Sequence, residues 1–298
     1  MRRVTAVLGA LFLTAGVAGC TGEEKPQQQG GPAAKAERTA VAPQRPAPTP
    51  AARLGAVSLP AQPGPLVDLV ARQVKAAGTV RAQLTTNGGQ GSDGVQEQTV
   101  VQLRTNASPP EAQLMIVDKD PDEPSTTEAV VSGGVIYTRV DGQEQRPGKP
   151  WVRLSRQDAS NPELGPFAKL LTSLVDQVER TLGELSADTG LTVVRHGTFK
   201  GEPTSETVDG TPTRRYQGTT KTADLKGGDK GVEALTGLGL KEIGWTLWVD
   251  DKGLPRKFEA GLATPQGMNV RQSVTYRQWG DPVSITVPPA DKVHLIGS

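Results

Sequence analysis

Apolar and polar residues alternate one by one over many short stretches of this 298-residue chain, and this alternation constrains the fold more than any other feature. In the first such stretch, Val80, Ala82 and Leu84 alternate with polar side chains. Successive side chains of a β-strand point to opposite faces, so a period of two predicts strands with one buried and one solvated face. The chain is therefore expected to form an antiparallel sheet.

The predicted strands are separated by turn-forming residues such as proline, glycine and aspartate. They cover residues 80–85, 95–103, 111–118, 126–132, 135–140, 151–154, 192–199, 212–220, 245–249, 255–262 and 269–279. An acidic turn from Asp250 to Gly253 joins two of the last strands, and acidic residues are ordinary turn formers. We therefore expect no metal site there and no cofactor.

Helical spacing replaces the period of two at three places. Leu66, Val70 and Val74 recur at helical spacing before Gly78, which predicts a first helix. A second helix is predicted within residues 162–182, where one apolar stripe comprises Phe167, Leu170, Leu171, Leu174, Val178 and Leu182. A third, short helix is predicted over residues 229–235. The expected fold class is α+β, with one large curved antiparallel sheet and a few helices packed on its concave face.

The apolar stripe of the second helix has two interpretations. A curved sheet under such a helix can close as a packed core or remain hollow, and the sequence pattern is the same in both cases. Both interpretations therefore stay open at this point. Trp245 and Trp248 are three positions apart on one predicted strand, so they are expected to face opposite sides of the sheet.

The N-terminus has the pattern of an export signal. Arg2 and Arg3 precede an apolar run over residues 4–17, which is too short to remain as a membrane-spanning helix. Small residues then lead to Cys20, and this arrangement resembles a lipobox. We predict a signal peptide over residues 1–19 and a diacylglyceryl anchor on Cys20, because two acyl chains give stable membrane attachment. Both general and twin-arginine export remain open.

Composition divides the rest of the chain into two parts. Residues 20–60 are rich in alanine, proline and glutamine, which predicts a disordered tether, and residues 61–298 are expected to form one β-rich domain. Cleavage after Gly19 changes the balance from 33 basic and 32 acidic residues to 31 and 32, a net charge of −1. Near-neutrality argues against nucleic acid as a partner. The expected location is extracytoplasmic, on the outer face of the plasma membrane.

Candidate catalytic residues are scarce. Cys20 is the only cysteine, so its lipidation would leave no thiol for catalysis, disulfides or metal binding. The two histidines are His196, expected within a strand, and His294, and neither lies in a catalytic motif. We therefore expect no catalytic residues and no enzymatic activity.

The order of these segments and two closing motifs resemble a known family. The motifs are GWTLWVDDKGLPRK over residues 244–257 and YRQWGDPVSITVPP over residues 276–289. They resemble the actinobacterial LppX/LprAFG lipoprotein family and its LolA-like relatives. The resemblance implies a LolA-like half-barrel whose concave face, covered by helices, holds acyl chains. It adds four candidate cavity residues to the six of the helical stripe, namely Trp245, Leu247, Val274 and Tyr276.

Three functions are consistent with this sequence. The first is a cell-surface lipoprotein that binds or carries a lipid or lipoglycan between sheet and helices. The second, implied by the same fold in RseB-type proteins, is an envelope-stress sensor that binds another envelope protein, for which exposed strand edges are suited. The third is a passive wall-associated lipoprotein.

Overall fold

The computed structural model describes residues 54–89, 95–119, 124–141, 143–144, 146–161, 166–225, 240–263 and 269–295. The predicted signal peptide, Cys20, the tether up to residue 53 and the predicted helix 229–235 lie outside these residues. Within the described ranges, thirteen strands form one sheet. They are β1 Thr79–Gly89, β2 Val95–Arg104, β3 Glu111–Asp118, β4 Ser125–Ser132, β5 Val135–Val140, β6 Trp151–Ser155, β7 Thr198–Phe199, β8 Thr204–Val208, β9 Thr211–Lys221, β10 Glu242–Asp250, β11 Pro255–Ala263, β12 Asn269–Arg277 and β13 Val293–Leu295.

The strand order confirms the predicted fold class. The order is β13-β6-β5-β4-β3-β2-β1-β12-β11-β10-β9-β7, with β8 paired to β9 as well. Among the described residues, every strand pairing is antiparallel except that of β13 with β6. The two ends of this order do not pair with each other among the described residues, so the sheet is an open half-barrel rather than a closed one.

Four helices occur in the described ranges: α1 Pro63–Ala77, α2 Arg156–Ala159, α3 Pro166–Leu185 and α4 Asp188–Arg195. α1 begins at a proline and ends where Gly78 takes a left-handed conformation at φ 73°, which is the expected chemistry of helix ends. α3 contacts β1 and β6, and α4 contacts α1 and β9. None of these helices combines the length and the apolar content needed to cross a bilayer.

One predicted strand was wrong. Residues 192–199 contain three consecutive β-branched side chains, which favour a strand by propensity. The structure instead places residues 192–195 in α4, with His196 as the residue after its end and only Thr198–Phe199 as a strand. Tertiary packing decides the outcome, because the helix buries Leu191 and Val194 and brings Gly190 against the ring of Phe258.

Three short elements have no regular spacing of apolar residues that would predict them. β8 is exposed along almost its whole length, so it has no alternation of buried and exposed residues. β13 has three residues and pairs in parallel with β6, far away in sequence. α2 is a single turn, started by Ser155, whose side chain accepts a hydrogen bond from the Asp158 backbone.

Both chain termini of the described part are fixed to the sheet. The segment before α1, which the sequence assigns to the end of the tether, packs Leu54 and Leu59 against the core. Its Val57 backbone donates a hydrogen bond to Asp251 O over 2.7 Å. After β12 the chain crosses the face opposite the helices, where Ser284 N and Thr286 N donate to the side-chain oxygens of Gln102 and Gln113.

Candidate functional site

The helix-covered face of the sheet, here called the inner face, has two halves of different composition. The aliphatic half is the inner face of β1 to β6. Its buried residues are Val80, Ala82, Leu84, Val101, Leu103, Ala112, Leu114, Ile116, Ala129, Val131, Ile136, Val152 and Leu154. The aromatic half is the inner face of β7 and β9 to β12, and its rings are Phe199, Tyr216, Trp245, Phe258 and Tyr276.

No inner-face aromatic residue occurs among the described side chains of β1 to β6. Tyr137 and Trp151 belong to these strands, but each alternates with a buried inner-face neighbour and therefore points outward. Arg139 lies over the Trp151 ring at 5.2 Å from its centroid. The aliphatic half therefore has a floor without rings, whose buried residues are alanine, valine, leucine and isoleucine apart from Thr99 and Thr127.

Trp245 is the centre of the aromatic half. Its indole Nε1 donates to Thr220 Oγ1 over 2.9 Å, and that hydroxyl in turn donates to Val193 O of α4 over 2.7 Å. Phe199 packs edge-on against the indole at 5.9 Å between ring centroids. Gly218 leaves the space that the indole fills, since a methyl group there would overlap Trp245 Cζ2 and lie 2.5 Å from Thr198 O.

Two tyrosines of the aromatic half have paired hydroxyls. Tyr276 donates to Glu184 O, at the end of α3, over 3.3 Å, and Tyr216 donates to Pro60 O over 3.3 Å. Burial is the main reason that the pKa of Tyr276 is raised, and Asp188 and Glu184 raise it further. Burial also raises the pKa of Tyr216. Both phenols therefore stay protonated and serve as hydrogen-bond donors that attach other segments to the sheet.

Helix α3 covers the aliphatic half from β1 to β6. Its apolar stripe consists of Leu171, Val175, Val178, Leu182 and Leu185, all buried at intervals of three or four residues. On its solvent side, Asp176 and Glu179 pair with Arg156 of α2 at 3.0 and 2.6 Å.

The ion pairs of Arg156 are exposed, so each contributes about 1 kcal/mol or less to the position of the helix. α3 is therefore held over the sheet chiefly by the burial of its stripe.

The inner face becomes polar toward one end of β1 to β4. Thr86, Glu97, Asp118 and Ser125 are consecutive cross-strand partners there, on the same face as the aliphatic residues. Burial, followed by the charge of Asp118, raises the pKa of Glu97. Next to this row, Thr99 is 1% exposed and its hydroxyl has no hydrogen-bond partner.

Most of the predicted cavity residues meet in one apolar cluster. Leu171, Val178, Leu182, Trp245, Leu247, Val274 and Tyr276 are buried members of it, and Leu174 is partly buried against it. Phe167 and Leu170 lie on α3, but their side chains are outside the described part of the structure. The alanines of the floor and Val175 were not singled out from the sequence, although their positions follow the same periods of two and of 3.6 residues.

Trp248 lies on the opposite face from Trp245, as the spacing predicts, and it is buried as well. Its indole Nε1 donates to Glu206 Oε2 over 2.9 Å. The side chains of Lys257 and Arg215 lie over the ring at 5.0 and 5.7 Å from its centroid. These contacts link β8 and β11 to Trp248 of β10 on the outer face of the sheet.

The acidic turn after β10 is a structural unit. Asp250 is 1% exposed, and its carboxylate accepts hydrogen bonds from Lys252 N and Leu254 N, both at 2.9 Å. Arg256 pairs with the other oxygen at 2.7 Å. Both carboxylate oxygens of Asp250 are therefore bonded within and next to the turn. Elsewhere in the described ranges, no group of three or more histidine, cysteine, aspartate or glutamate side chains is placed to hold a metal ion.

Comparisons with known proteins find similarity in solved structures alone. No protein-family model matches the chain, and no curated protein matches it. The lipoprotein LppX of Mycobacterium tuberculosis is 17% identical, with a TM-score of 0.42, over 74% of this chain and 98% of that chain. LprF of Mycobacterium bovis is 20% identical, with a TM-score of 0.44, over 76% of this chain and 96% of that chain.

A third similar structure is a complex of MucA and MucB from Pseudomonas aeruginosa. The matched chain is 12% identical, with a TM-score of 0.30, over 76% of this chain and 60% of that chain. LppX and LprF are members of the family that the sequence resembles. Similarity at this level of identity concerns the fold.

Proposed function

We propose that this protein is a lipid-anchored, extracytoplasmic lipoprotein that binds the acyl chains of a lipid or lipoglycan between α3 and the aliphatic half of the sheet. The observation that carries the proposal is the largely aliphatic floor of β1 to β6, which has no rings and has Ala82, Ala112 and Ala129 among its buried residues, under a helix with a continuous apolar stripe. Flexible acyl chains fit such a surface because it demands no specific hydrogen bonds.

In this proposal the apolar stripe of α3 and the floor contact the acyl chain from two sides. Leu171, Leu174, Val178 and Leu182 form the upper side. Trp245, Leu247, Val274 and Tyr276 form the packed end wall of the same site. The apolar stripe exchanges its contacts with the sheet for contacts with the chain, so α3 remains covered in both states.

The anchor and the tether place this site near its ligands. The diacylglyceryl group on Cys20 holds the chain at the outer face of the plasma membrane, and residues 20–53 separate the described domain from it. If residues 20–53 form the random coil that their composition predicts, the tether would span about 30 Å on average. The domain therefore works within reach of the bilayer surface, and its role is binding rather than catalysis.

The test uses the chain from residue 20 onward, with Cys20→Ser so that it is not lipidated. Purified from a bacterial host, it is expected to retain lipid that native mass spectrometry detects on the intact protein. Ala129→Phe fills the floor and is expected to reduce the bound fraction at least tenfold. Val100→Phe, on the exposed outer face of β2, is the matched control and leaves the bound fraction unchanged. Lipid-free preparations that also fail to take up added lipid would exclude the proposal.

A second candidate function, the binding of an envelope protein, is favoured by the edge strand β8. All but one of its five residues are exposed, and its pairing within the described part of the chain is with β9 alone. An extended segment of a partner can add to such an edge. Photo-crosslinking from Ser205 on intact cells is expected to capture one membrane protein repeatedly if this function holds. Capture of many unrelated proteins would contradict it.

A further inference from the structure

A cleft on the outer face lies between the β8–β9 hairpin and strands β10 to β12. The hairpin turns through Asp209 and Gly210, which both have positive φ angles, 47° and 75°, as a tight two-residue turn of type I′ requires. The space next to this turn has a volume of about 240 Å³, and its other wall is formed by Trp248, Lys257 and Thr275. Pockets for drug-sized ligands have about 300–1,000 Å³, so this cleft fits a ligand of about one ring.

A second cleft adjoins the first. It has a volume of about 210 Å³, shares Val208 and Asp209 with the first cleft, and extends to Arg277 and Gln278 at the end of β12. Arg277 Nε donates a hydrogen bond to Asp209 Oδ2 over 2.7 Å, which joins the hairpin turn to β12. Two adjoining spaces of this size fit linked rings better than one large compact molecule.

The charges that line the first cleft are balanced. Glu206, Asp209 and Lys257 line it, and each belongs to an ion pair. The partners, in the same order, are Arg215, Arg277 and Glu259, at 3.4, 2.7 and 2.6 Å. A charged ligand would compete for one member of a pair and leave the other member unpaired, whereas a neutral ligand leaves all of these pairs intact.

Ion-paired side chains can still form further hydrogen bonds. A carboxylate has about four acceptor positions and a lysine ammonium has three donors, so one ion pair uses only part of them. A sugar hydroxyl both donates and accepts, and it is therefore complementary to a carboxylate and a cation that lie side by side. The Trp248 indole Nε1 is already bonded to Glu206, so its ring contributes an apolar wall. The cleft is suited to a neutral ring that carries hydroxyl groups.

The outer face beside the cleft is uncharged as well. Thr275 is the cross-strand partner of Gln83 on β1, and the next outward residue of β1, Thr85, pairs with Ser273 and Gln98. These side chains are half-buried, point outward and end in hydroxyl or amide groups. A chain of neutral sugar units with one unit in the cleft would therefore continue over a surface that offers hydrogen bonds and no charge.

We propose that this cleft binds a neutral polysaccharide of the cell envelope. The inference goes beyond the proposed function, because the outer face is opposite α3 and the binding involves no acyl chain. Sugar hydroxyls donate to the carboxylates of Glu206 and Asp209 and accept from the ammonium of Lys257, while the ion pairs stay in place. Binding at this face would attach the domain to the wall whether or not the inner face holds a lipid.

The test measures binding to polymers of different charge. The chain from residue 20 onward with Cys20→Ser is passed over sensor surfaces that carry neutral dextran, mannan or galactan, anionic carboxymethyl-dextran, or cationic diethylaminoethyl-dextran. At least one neutral polymer is expected to bind at least tenfold more tightly than either charged dextran. Binding to no neutral polymer, or tighter binding to a charged dextran, overturns the proposal. Neither result affects acyl-chain binding, which native mass spectrometry measures separately.

Thr275→Phe tests where the polymer binds. The larger side chain occupies the cleft, so the affinity for the neutral polymer is expected to fall at least tenfold. Thr246→Phe is the matched control, because Thr246 is also a half-buried, outward residue of the sheet but lies outside the lining of the cleft. It is expected to leave the affinity unchanged. Equal affinities of the two variants would place the binding elsewhere and overturn the proposal.

Asp209→Asn tests the balance of charge without filling the cleft. It removes the carboxylate that pairs with Arg277 and so leaves the guanidinium without this partner. Binding to carboxymethyl-dextran, relative to the neutral polymer, is expected to rise at least threefold. An unchanged ratio would show that the paired charges of the cleft do not set the preference for neutral polymers, and it would overturn the assignment to this cleft.

Discussion

The two halves of the inner face differ in how their buried polar atoms are paired. In the aromatic half, the polar atoms of the large rings are paired inside the protein, as in the hydrogen bonds of Trp245 to Thr220 and of Tyr276 to Glu184. In the aliphatic half the floor has no rings, and the buried hydroxyl of Thr99 has no partner. A region whose hydrogen bonds are complete contributes to stability, whereas a region with an unused hydrogen-bonding group and an apolar lining is suited to a ligand.

Gly218→Ala should have the largest effect, because it adds an atom to the closely packed half. The new methyl would overlap Trp245 and approach the Thr198 backbone, and neither can move without disturbing the sheet. We expect a loss of about 3 kcal/mol in the free energy of unfolding. Gly244→Ala is the control, since nothing lies within 4 Å of its added methyl. Urea denaturation measures both, and equal stabilities would mean that the aromatic half is not closely packed.

Leu171→Ala tests the helix over the aliphatic half. The side chain is buried, and its removal should cost about 2 kcal/mol, the lower end of the range for leucine to alanine. We also expect weaker acyl-chain binding, which distinguishes this half from the other. Ser173→Ala, on the exposed side of α3, should change stability by less than about 0.5 kcal/mol. A loss of stability without any loss of binding would assign Leu171 to core packing alone.

Tyr276→Phe tests a completed hydrogen bond of the aromatic half. Loss of the bond to Glu184 O should cost about 1 kcal/mol at neutral pH. Because the pKa of Tyr276 is raised above its ordinary value of 10.0, the folded protein holds this proton longer than the unfolded chain. Wild-type stability should therefore fall as the pH rises above about 10, and less so in the variant. Parallel stability curves from pH 8 to 11 would contradict this.

Glu97→Gln should have the smallest effect on stability, with the opposite sign. The pKa of Glu97 is raised above its ordinary value of 4.5 by burial and by Asp118, so ionisation is less favourable in the folded protein than in the unfolded chain. This penalty is absent at low pH and appears as the pH rises through the ordinary pKa. The variant should unfold at a slightly higher temperature than the wild type at pH 7 and at the same temperature at pH 3. A lower midpoint at pH 7 would contradict the argument.

Much of the fold could be predicted because the spacing of apolar residues within each strand or helix indicates its type. A period of two predicts β1 from Val80, Ala82 and Leu84. A period of 3.6 predicts α3 from Leu171, Val178 and Leu182. The elements that were not predicted from the sequence lack such a spacing of apolar residues. α4 contains a β-branched run that favours a strand, and it is a helix because Leu191 and Val194 pack against neighbouring elements.

The candidate site was predictable only in part, for the same reason. The apolar stripe of α3 could be read from its spacing, but the cross-strand row of Thr86, Glu97, Asp118 and Ser125 joins residues from four strands, and a period within one strand gives no register between strands. The period of two places Thr99 on the same face as Val101 and Leu103, but it does not show that its hydroxyl lacks a partner. Its isolation depends on Leu84 and Ile116, which adjacent strands bring beside it.

By itself, the sequence determined most of the long strands, that Trp245 and Trp248 face opposite sides, and that α3 has one apolar side, because these properties follow from backbone geometry within one element. Tertiary structure alone decided that the inner face has an aromatic and an aliphatic half, that α4 is a helix, and that an unpaired hydroxyl lies beside two carboxylates. These depend on contacts between distant segments, whose energies outweigh local propensity and cannot be read from neighbouring residues.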